Sequence, residues 1–135
     1  MSSTACALTG FIAWTLLLLV LMETIRTYLV ITGSVAANGF TPDNAGLSPF
    51  MRRLARAHAN CIEGLPLFGG LLAVAVMTSR TSVTDTMALW LLGARIGQSV
   101  IHLISTSPVA VSLRFTAFAV QIVIAVYWCW RLFST

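Results

Sequence analysis

The chain has 135 residues, of which 58% are hydrophobic and 9% are charged, and its eight arginines exceed its four acidic residues without a single lysine. An ordinary soluble domain carries about 25% charged residues, and a soluble protein this short could not bury so much apolar surface. Composition therefore excludes a soluble domain and indicates one integral-membrane domain over residues 1–135, because lipid can cover apolar surface that water cannot.

Hydropathy predicts four membrane-spanning helices, at roughly residues 5–31, 49–77, 84–104 and 109–133. Each has the roughly 20 residues that a helix needs to cross a bilayer, and helices satisfy their own backbone hydrogen bonds, as lipid requires. The first loop is long and rich in Gly, Asn, Asp and Pro, whereas the other loops are short. The predicted fold is an all-α, polytopic four-helix bundle, with Asp85 in the first turn of the third helix.

The arginines predict the orientation of this bundle. Four crossings place both termini and the second loop on one side of the membrane, with loops one and three on the other. Only Arg80 and Arg131 lie near the side of the termini. Four arginines lie near the opposite side: Arg52, Arg53, Arg56 and Arg114. Because cytoplasmic loops carry the excess of positive charge, loops one and three are expected to be cytoplasmic.

The second predicted helix carries a polar stripe. Its members are spaced three, four and three positions apart: Arg53, Arg56, Asn60 and Glu63. At 3.6 residues per turn, this spacing places all four on one face of the helix. Pro66 follows the stripe and lacks a backbone N–H, so it is expected to kink the helix just past the polar residues.

The third and fourth helices also place polar residues within the membrane. Arg95, Gln98 and His102 are spaced three and four positions apart, which again puts them on one helix face. Arg114 and Gln121 lie seven positions apart on the fourth helix. Such residues are costly in a bilayer, about 2.5–3.5 kcal/mol for a charge at a helix centre, so they are kept where they are paired or functional.

Two interpretations of these polar residues stay open on spacing alone. They could form a polar seam that holds the helices together, with Glu63 neutralised by Arg56 or Arg95. Alternatively, they line a charged pocket that opens toward loops one and three. The surplus of arginines favours the pocket, because a partly buried positive cleft suits an anionic ligand.

The three cysteines show no metal-site signature. Cys6, Cys61 and Cys129 lie in apolar stretches and have no C-x-x-C spacing. Buried, unreactive thiols are predicted, because apolar surroundings disfavour the thiolate, and no metal is expected.

The stretch RRLARAHANCIEGLPLFGGLLA, residues 52–73, resembles the second-helix motif of the MAPEG superfamily, the membrane-associated proteins in eicosanoid and glutathione metabolism. The family pattern reads roughly R-x-x-R-A-x-x-N-x-x-E-x-x-P-x-F. The matching residues are Arg53, Arg56, Ala57, Asn60, Glu63, Pro66 and Phe68. ARIGQSVIHL and the end of the first helix also look like the family's, so the resemblance covers nearly the whole chain.

This resemblance implies a homotrimer of four-helix protomers, with glutathione bound between neighbouring subunits near the cytoplasmic face. A lipophilic small molecule or lipid is the implied second ligand, and glutathione is the implied co-substrate. The residues implied to bind glutathione are Arg53, Arg56, Asn60, Glu63, Arg95 and Gln98. The charged start of the second helix is then expected to be a wall of the glutathione site.

The activity implied by the resemblance is a glutathione-dependent transferase or peroxidase acting on lipophilic electrophiles. Arg114 is the candidate that favours the thiolate, with His102 or Ser112 as its hydrogen-bonding partner, although His102 stands where many relatives have tyrosine. One alternative is a non-catalytic glutathione- or lipid-binding protein of the same fold. Another is a small four-helix exporter with Glu23 as a proton-coupled carboxylate, which pairing of Glu23 with Arg26 disfavours.

Overall fold

A computed structural model of the protein describes residues 1–134, and the last residue, Thr135, lies outside that range. Within the described range the chain forms four long helices and no strand: α1 (Ser3–Ile31), α2 (Pro49–Met77), α3 (Thr81–Ile104) and α4 (Pro108–Ser134). All four are long and apolar enough to cross a membrane. The predicted all-α four-helix fold is confirmed.

The start of α3 differs from the prediction. The helix begins at Thr81 rather than at residue 84, so the prediction that Asp85 lies in its first turn is wrong. The predicted start was too late because residues 81–84 are largely polar and hydropathy left them out of the span. The Asp85 carboxylate accepts hydrogen bonds from the N–H and the hydroxyl of Thr4, at 2.9 and 2.7 Å. It thereby caps the first turn of α1, whose N–H groups have no partner within the helix.

The middle of α2 changes its helical form. The segments Pro49–Gly64 and Gly70–Met77 are α-helical, whereas Leu65–Gly69 is π-helical. Pro66 lacks the N–H that an α-helix would use at this point, and the wider π turn accommodates the loss. The sequence predicts a kink just past the polar stripe, and the structure has a π turn there.

The first loop is fastened to the bundle by two side chains. Arg26 pairs with Glu23 at 2.9 Å, as predicted, and donates to the side-chain oxygen of Asn44 from Nε at 3.0 Å and from Nη2 at 2.6 Å. The buried Asn44 donates in turn to the carbonyl oxygen of Met51 at 2.7 Å. Its φ of 55° is a left-handed conformation that asparagine tolerates better than most residues. These contacts hold the loop against the start of α2.

The core lies where α3 packs against the other three helices. Its fully buried side chains come from all four helices and include Phe11, Leu54, Leu91 and Trp128. The cysteine prediction is only partly right, because Cys61 is buried but Cys6 is exposed and Cys129 is half-buried. Apolar neighbours in the sequence do not imply burial here, since the lipid-facing side of a membrane helix is apolar too.

Candidate functional site

Four of the eight arginines gather around a cavity of about 410 Å³ at the end of the bundle that carries loops one and three. We call this cavity the arginine pocket. Its lining comes from the start of α2, the end of α3, the following turn and the start of α4: Pro49, Arg52, Arg53, Arg56, His102, Thr106 and Arg114. None of these residues is acidic, so the pocket has a surplus of positive charge suited to a carboxylate or another anion.

Local contacts position the arginines of α2. The helix begins at Pro49, directly after Ser48, whose hydroxyl oxygen accepts a hydrogen bond from the Met51 N–H at 3.2 Å. This cap satisfies one of the free N–H groups at the helix start. Arg53 Nε donates to the Leu103 carbonyl oxygen at 2.9 Å. The last carbonyls of α3 have no partner within their own helix, so this contact joins the start of α2 to the end of α3.

A second cavity, of about 260 Å³, lies deeper in the bundle, and we call it the inner pocket. It is lined by Asn60, Glu63, Gly64, Leu67, Phe68, Arg95, Gln98 and Phe118. Asn60 Nδ2 lies 3.4 Å from His102 Nδ1, so this pair joins the lining of the inner pocket to the lining of the arginine pocket. One end of the combined site is strongly cationic, and the other combines polar groups with aromatic rings.

Arg95 is the buried cation of the inner pocket, with only 1% of its surface exposed. Its guanidinium carbon lies 5.3 Å from the ring centres of both Phe11 and Phe68. Nη1 donates to the carbonyl oxygen of Asn60 at 3.3 Å, whereas Nε and Nη2 have no hydrogen-bond partner among the described residues. The aromatic faces attract the charge, and two of its nitrogen donors stay unpaired.

Glu63 is not neutralised as the polar-seam interpretation requires. In the described part of the chain it forms no ion pair with Arg56 or Arg95. Its side chain is exposed on the outside of α2, while the guanidinium of Arg95 points inward between two rings. The inner pocket therefore has one unpaired carboxylate at its edge, where a cationic group of a ligand can meet it.

The two pockets contain all but one of the predicted site residues. The arginine pocket has Arg53, Arg56, His102 and Arg114, and the inner pocket has Asn60, Glu63, Arg95 and Gln98. Ser112 lines neither pocket, because it is exposed and donates to the Pro108 carbonyl oxygen at 3.0 Å. It precedes Arg114 by two residues, which places the two side chains on different faces of α4.

Sequence analysis does not assign seven of the lining residues to the site, among them Arg52, Thr106 and Phe118. Arg52 lies beside the polar stripe at the same end of the helix, and this position could have identified it as a site residue. Thr106 lies in the turn after α3, which four crossings place at the same membrane face as the start of α2. Phe118 follows Arg114 by four positions and so shares its helix face. It packs edge-on against Phe68, with ring centres 6.4 Å apart.

Comparison with known proteins identifies the family of the chain. The MAPEG family model matches residues 4–134, which is nearly the whole chain. No curated protein and no solved structure matches it. With four helices able to span a membrane and a family match along their full length, the chain belongs to the MAPEG family and is an integral, multi-pass membrane protein.

Proposed function

We propose that the protein is a glutathione-dependent membrane transferase or peroxidase that acts on lipophilic electrophiles. The main support is the combined site, in which a surplus of arginines adjoins a pocket with one unpaired carboxylate and an aromatic wall. Membership of a family of glutathione- and eicosanoid-related membrane proteins supports the same ligand.

The residues of the site suit the chemical groups of glutathione. The tripeptide has two carboxylates, one ammonium, two amides and a thiol. The planar guanidinium groups of Arg53 and Arg56 can donate two parallel hydrogen bonds to a carboxylate. Glu63 suits the ammonium group, and the carboxamide of Asn60 suits a peptide amide.

The reaction needs the thiolate of glutathione, because the thiolate and not the thiol is the nucleophile. The positive charge of Arg114 favours the thiolate, and His102 is its candidate hydrogen-bonding partner in the same pocket. In the transferase reaction the sulfur forms a bond to an electrophilic carbon while the leaving group departs with its electron pair. The aromatic and apolar wall of the inner pocket suits a substrate that arrives from the bilayer.

We further propose that three copies assemble and that neighbouring subunits complete each site. Arg56 and Glu63 support this, because both are exposed on the outside of the single chain within a span long enough to cross the membrane. A charged side chain facing lipid is costly, and a neighbouring subunit would remove that contact.

Thermal unfolding of the detergent-solubilised protein, with and without glutathione, tests the proposal. At about 100 times its dissociation constant, glutathione should add about 2.7 kcal/mol of stability. Sodium chloride at equal ionic strength controls for non-specific anion effects. No shift at millimolar glutathione would contradict the proposed function.

A non-catalytic glutathione- or lipid-binding protein is the second candidate. Its support is the position of Ser112 outside both pockets, which leaves fewer groups to stabilise the sulfur. Bound glutathione without thiolate absorbance or turnover would favour it. The exporter is disfavoured, because Glu23 is paired with Arg26 at 2.9 Å and is not free to cycle protons.

A further inference from the structure

A buried pair of amide side chains joins α3 to α4 behind the inner pocket. Gln121 is 0% exposed, and its Nε2 donates to Gln98 Oε1 at 2.9 Å and to the Ala117 carbonyl oxygen at 3.0 Å. A backbone carbonyl can only accept hydrogen bonds. Ala117 therefore fixes the orientation of the Gln121 amide, with its nitrogen toward both acceptors.

The orientation of Gln98 follows from that of Gln121. Because Gln121 presents a donor, Gln98 must turn its oxygen toward it, and the planar carboxamide then directs its own NH2 group away. Gln98 lines the inner pocket beside Arg95, whose Nε and Nη2 lack hydrogen-bond partners within residues 1–134. The wall formed by these two residues thus carries unpaired N–H donors.

The amide oxygen of Gln121, Oε1, is buried and has no hydrogen-bond partner among the described residues. Buried polar atoms are normally paired, and an amide pair serving only to join two helices would be expected to satisfy both ends. Gln121 satisfies only its donor end, which is the end that sets the orientation of Gln98.

We propose that Gln121 is a positioning residue that holds the Gln98 NH2 group toward the inner pocket, where it donates to an oxygen of bound glutathione. This inference rests on the proposed function. Without Gln121 nothing on α4 would oblige Gln98 to keep its oxygen turned inward, and the amide could present either end to the ligand.

A double-mutant cycle tests whether Gln121 acts through Gln98. Calorimetry would give the dissociation constant of glutathione for wild type, Gln121→Met, Gln98→Met and the double variant. We expect Gln121→Met to weaken binding about two- to tenfold in wild type, as for one lost hydrogen bond, and to have no effect once Gln98 is methionine. Val123→Met, on the same helix with 68% of its surface exposed in the single chain, is the matched control and should bind as wild type.

Gln98→Glu supplies an independent measurement if Gln121→Met does not fold. A glutamate keeps an acceptor for Gln121 but loses the N–H donor, so it should weaken glutathione binding at least as much as Gln98→Met. Unchanged binding in Gln98→Glu, or equal weakening by Gln121→Met in both backgrounds, would overturn the positioning role alone. A wild-type protein that binds no glutathione would overturn the proposed function and this inference with it.

Discussion

At the scale of single residues, Arg95 shows how a membrane protein can keep a buried cation without a carboxylate. The guanidinium lies between the faces of Phe11 and Phe68 and donates one hydrogen bond to a helix carbonyl. Gly64 leaves the space that the guanidinium occupies: a Cβ there would lie 2.7 Å from Arg95 Nη2 and 3.2 Å from Phe68 Cδ2. Arg95 cannot yield easily, because rings hold it on two sides.

Gly64→Ala is therefore expected to destabilise the protein by about 1–3 kcal/mol, the usual cost of overpacking a core. Gly70→Ala is the control on the same helix, because a Cβ at Gly70 meets no atom within 4 Å. Thermal unfolding in one detergent would compare both variants with wild type. Equal midpoints for Gly64→Ala and wild type would show that Arg95 moves aside freely.

The charged residues of the combined site are expected to differ in their effects, because some bind the ends of glutathione and one acts on its sulfur. Arg56→Ala and Glu63→Gln should mainly weaken glutathione binding, since loss of a charged hydrogen-bond partner costs about 1.5–3 kcal/mol, roughly ten- to a hundred-fold in affinity. Arg114→Ala should leave affinity nearly intact, because binding of the neutral thiol does not need it, but should reduce thiolate absorbance near neutral pH and slow turnover.

Ser112→Ala is the control for this experiment, because Ser112 lies outside both pockets and should change neither affinity nor absorbance. Binding titrations and ultraviolet absorbance of the bound thiolate would separate the two effects. Unchanged absorbance and turnover in Arg114→Ala would remove Arg114 from the catalytic assignment.

At the scale of helices and loops, local periodicity predicts much of the structure. The remaining features depend on contacts between residues that are distant in the sequence. The polar stripes follow from spacing, because residues three and four apart share a helix face. The extra turn at the start of α3 does not follow from spacing, since Asp85 contacts Thr4, a residue of α1 that is far away in the chain. Likewise Pro66 predicts an irregular turn, but whether a helix kinks or widens depends on how its neighbours pack.

The first loop gives a test at this scale. Asn44→Ala removes the contacts with Arg26 and Met51, so the loop should separate from the bundle and be cleaved faster by protease. Asn38→Ala, an exposed residue of the same loop, should be cleaved as wild type. Timed digestion followed by mass analysis would measure the rates, and equal rates for all three proteins would show that Asn44 does not fasten the loop.

At the scale of the whole molecule, the composition and four apolar stretches were enough to predict the fold, and the motif was enough to predict the family. The arrangement of side chains inside the site was harder to predict from the sequence. Periodicity shows that Arg95 and Glu63 each lie on a polar face, but not that one turns inward between rings while the other stays on the outside. That difference depends on packing between helices, which a single sequence does not specify.

A trimer is the expected assembly in mild detergent, because a neighbouring subunit would cover the exposed charges of α2. Chemical cross-linking and native mass analysis would measure the number of copies. Arg56→Leu removes one of those charges without disturbing the core. It should weaken assembly of the trimer less than it weakens glutathione binding. A clean monomer, or an antiparallel dimer, would contradict the proposed assembly.

Reporter fusions would test the orientation of the protein in the membrane. Loops one and three are expected in the cytoplasm, with both termini across the membrane, because five arginines lie near those loops once Arg26 is included, and two lie near the other face. A reporter after Thr135 should be inactive if it requires the cytoplasm, and one inserted at Asn38 should be active. The reverse pattern would show that the topology is the opposite of the one predicted.

The π turn at Leu65–Gly69 has a consequence for insertions and deletions in this part of the chain. A π turn contains about one residue more than an α turn, so removing one residue there should give a regular α-helix and leave everything after it close to its present orientation. Removing one residue from the regular α-helical part should instead rotate everything after it by about 100°. Leu72 and Ala75, both buried, would leave the core only in the second case. Deletion of Leu67, inside the π turn, should therefore still allow folding, whereas deletion of Leu71, in the α-helical segment after it, should abolish folding although it too removes one apolar residue from an apolar helix.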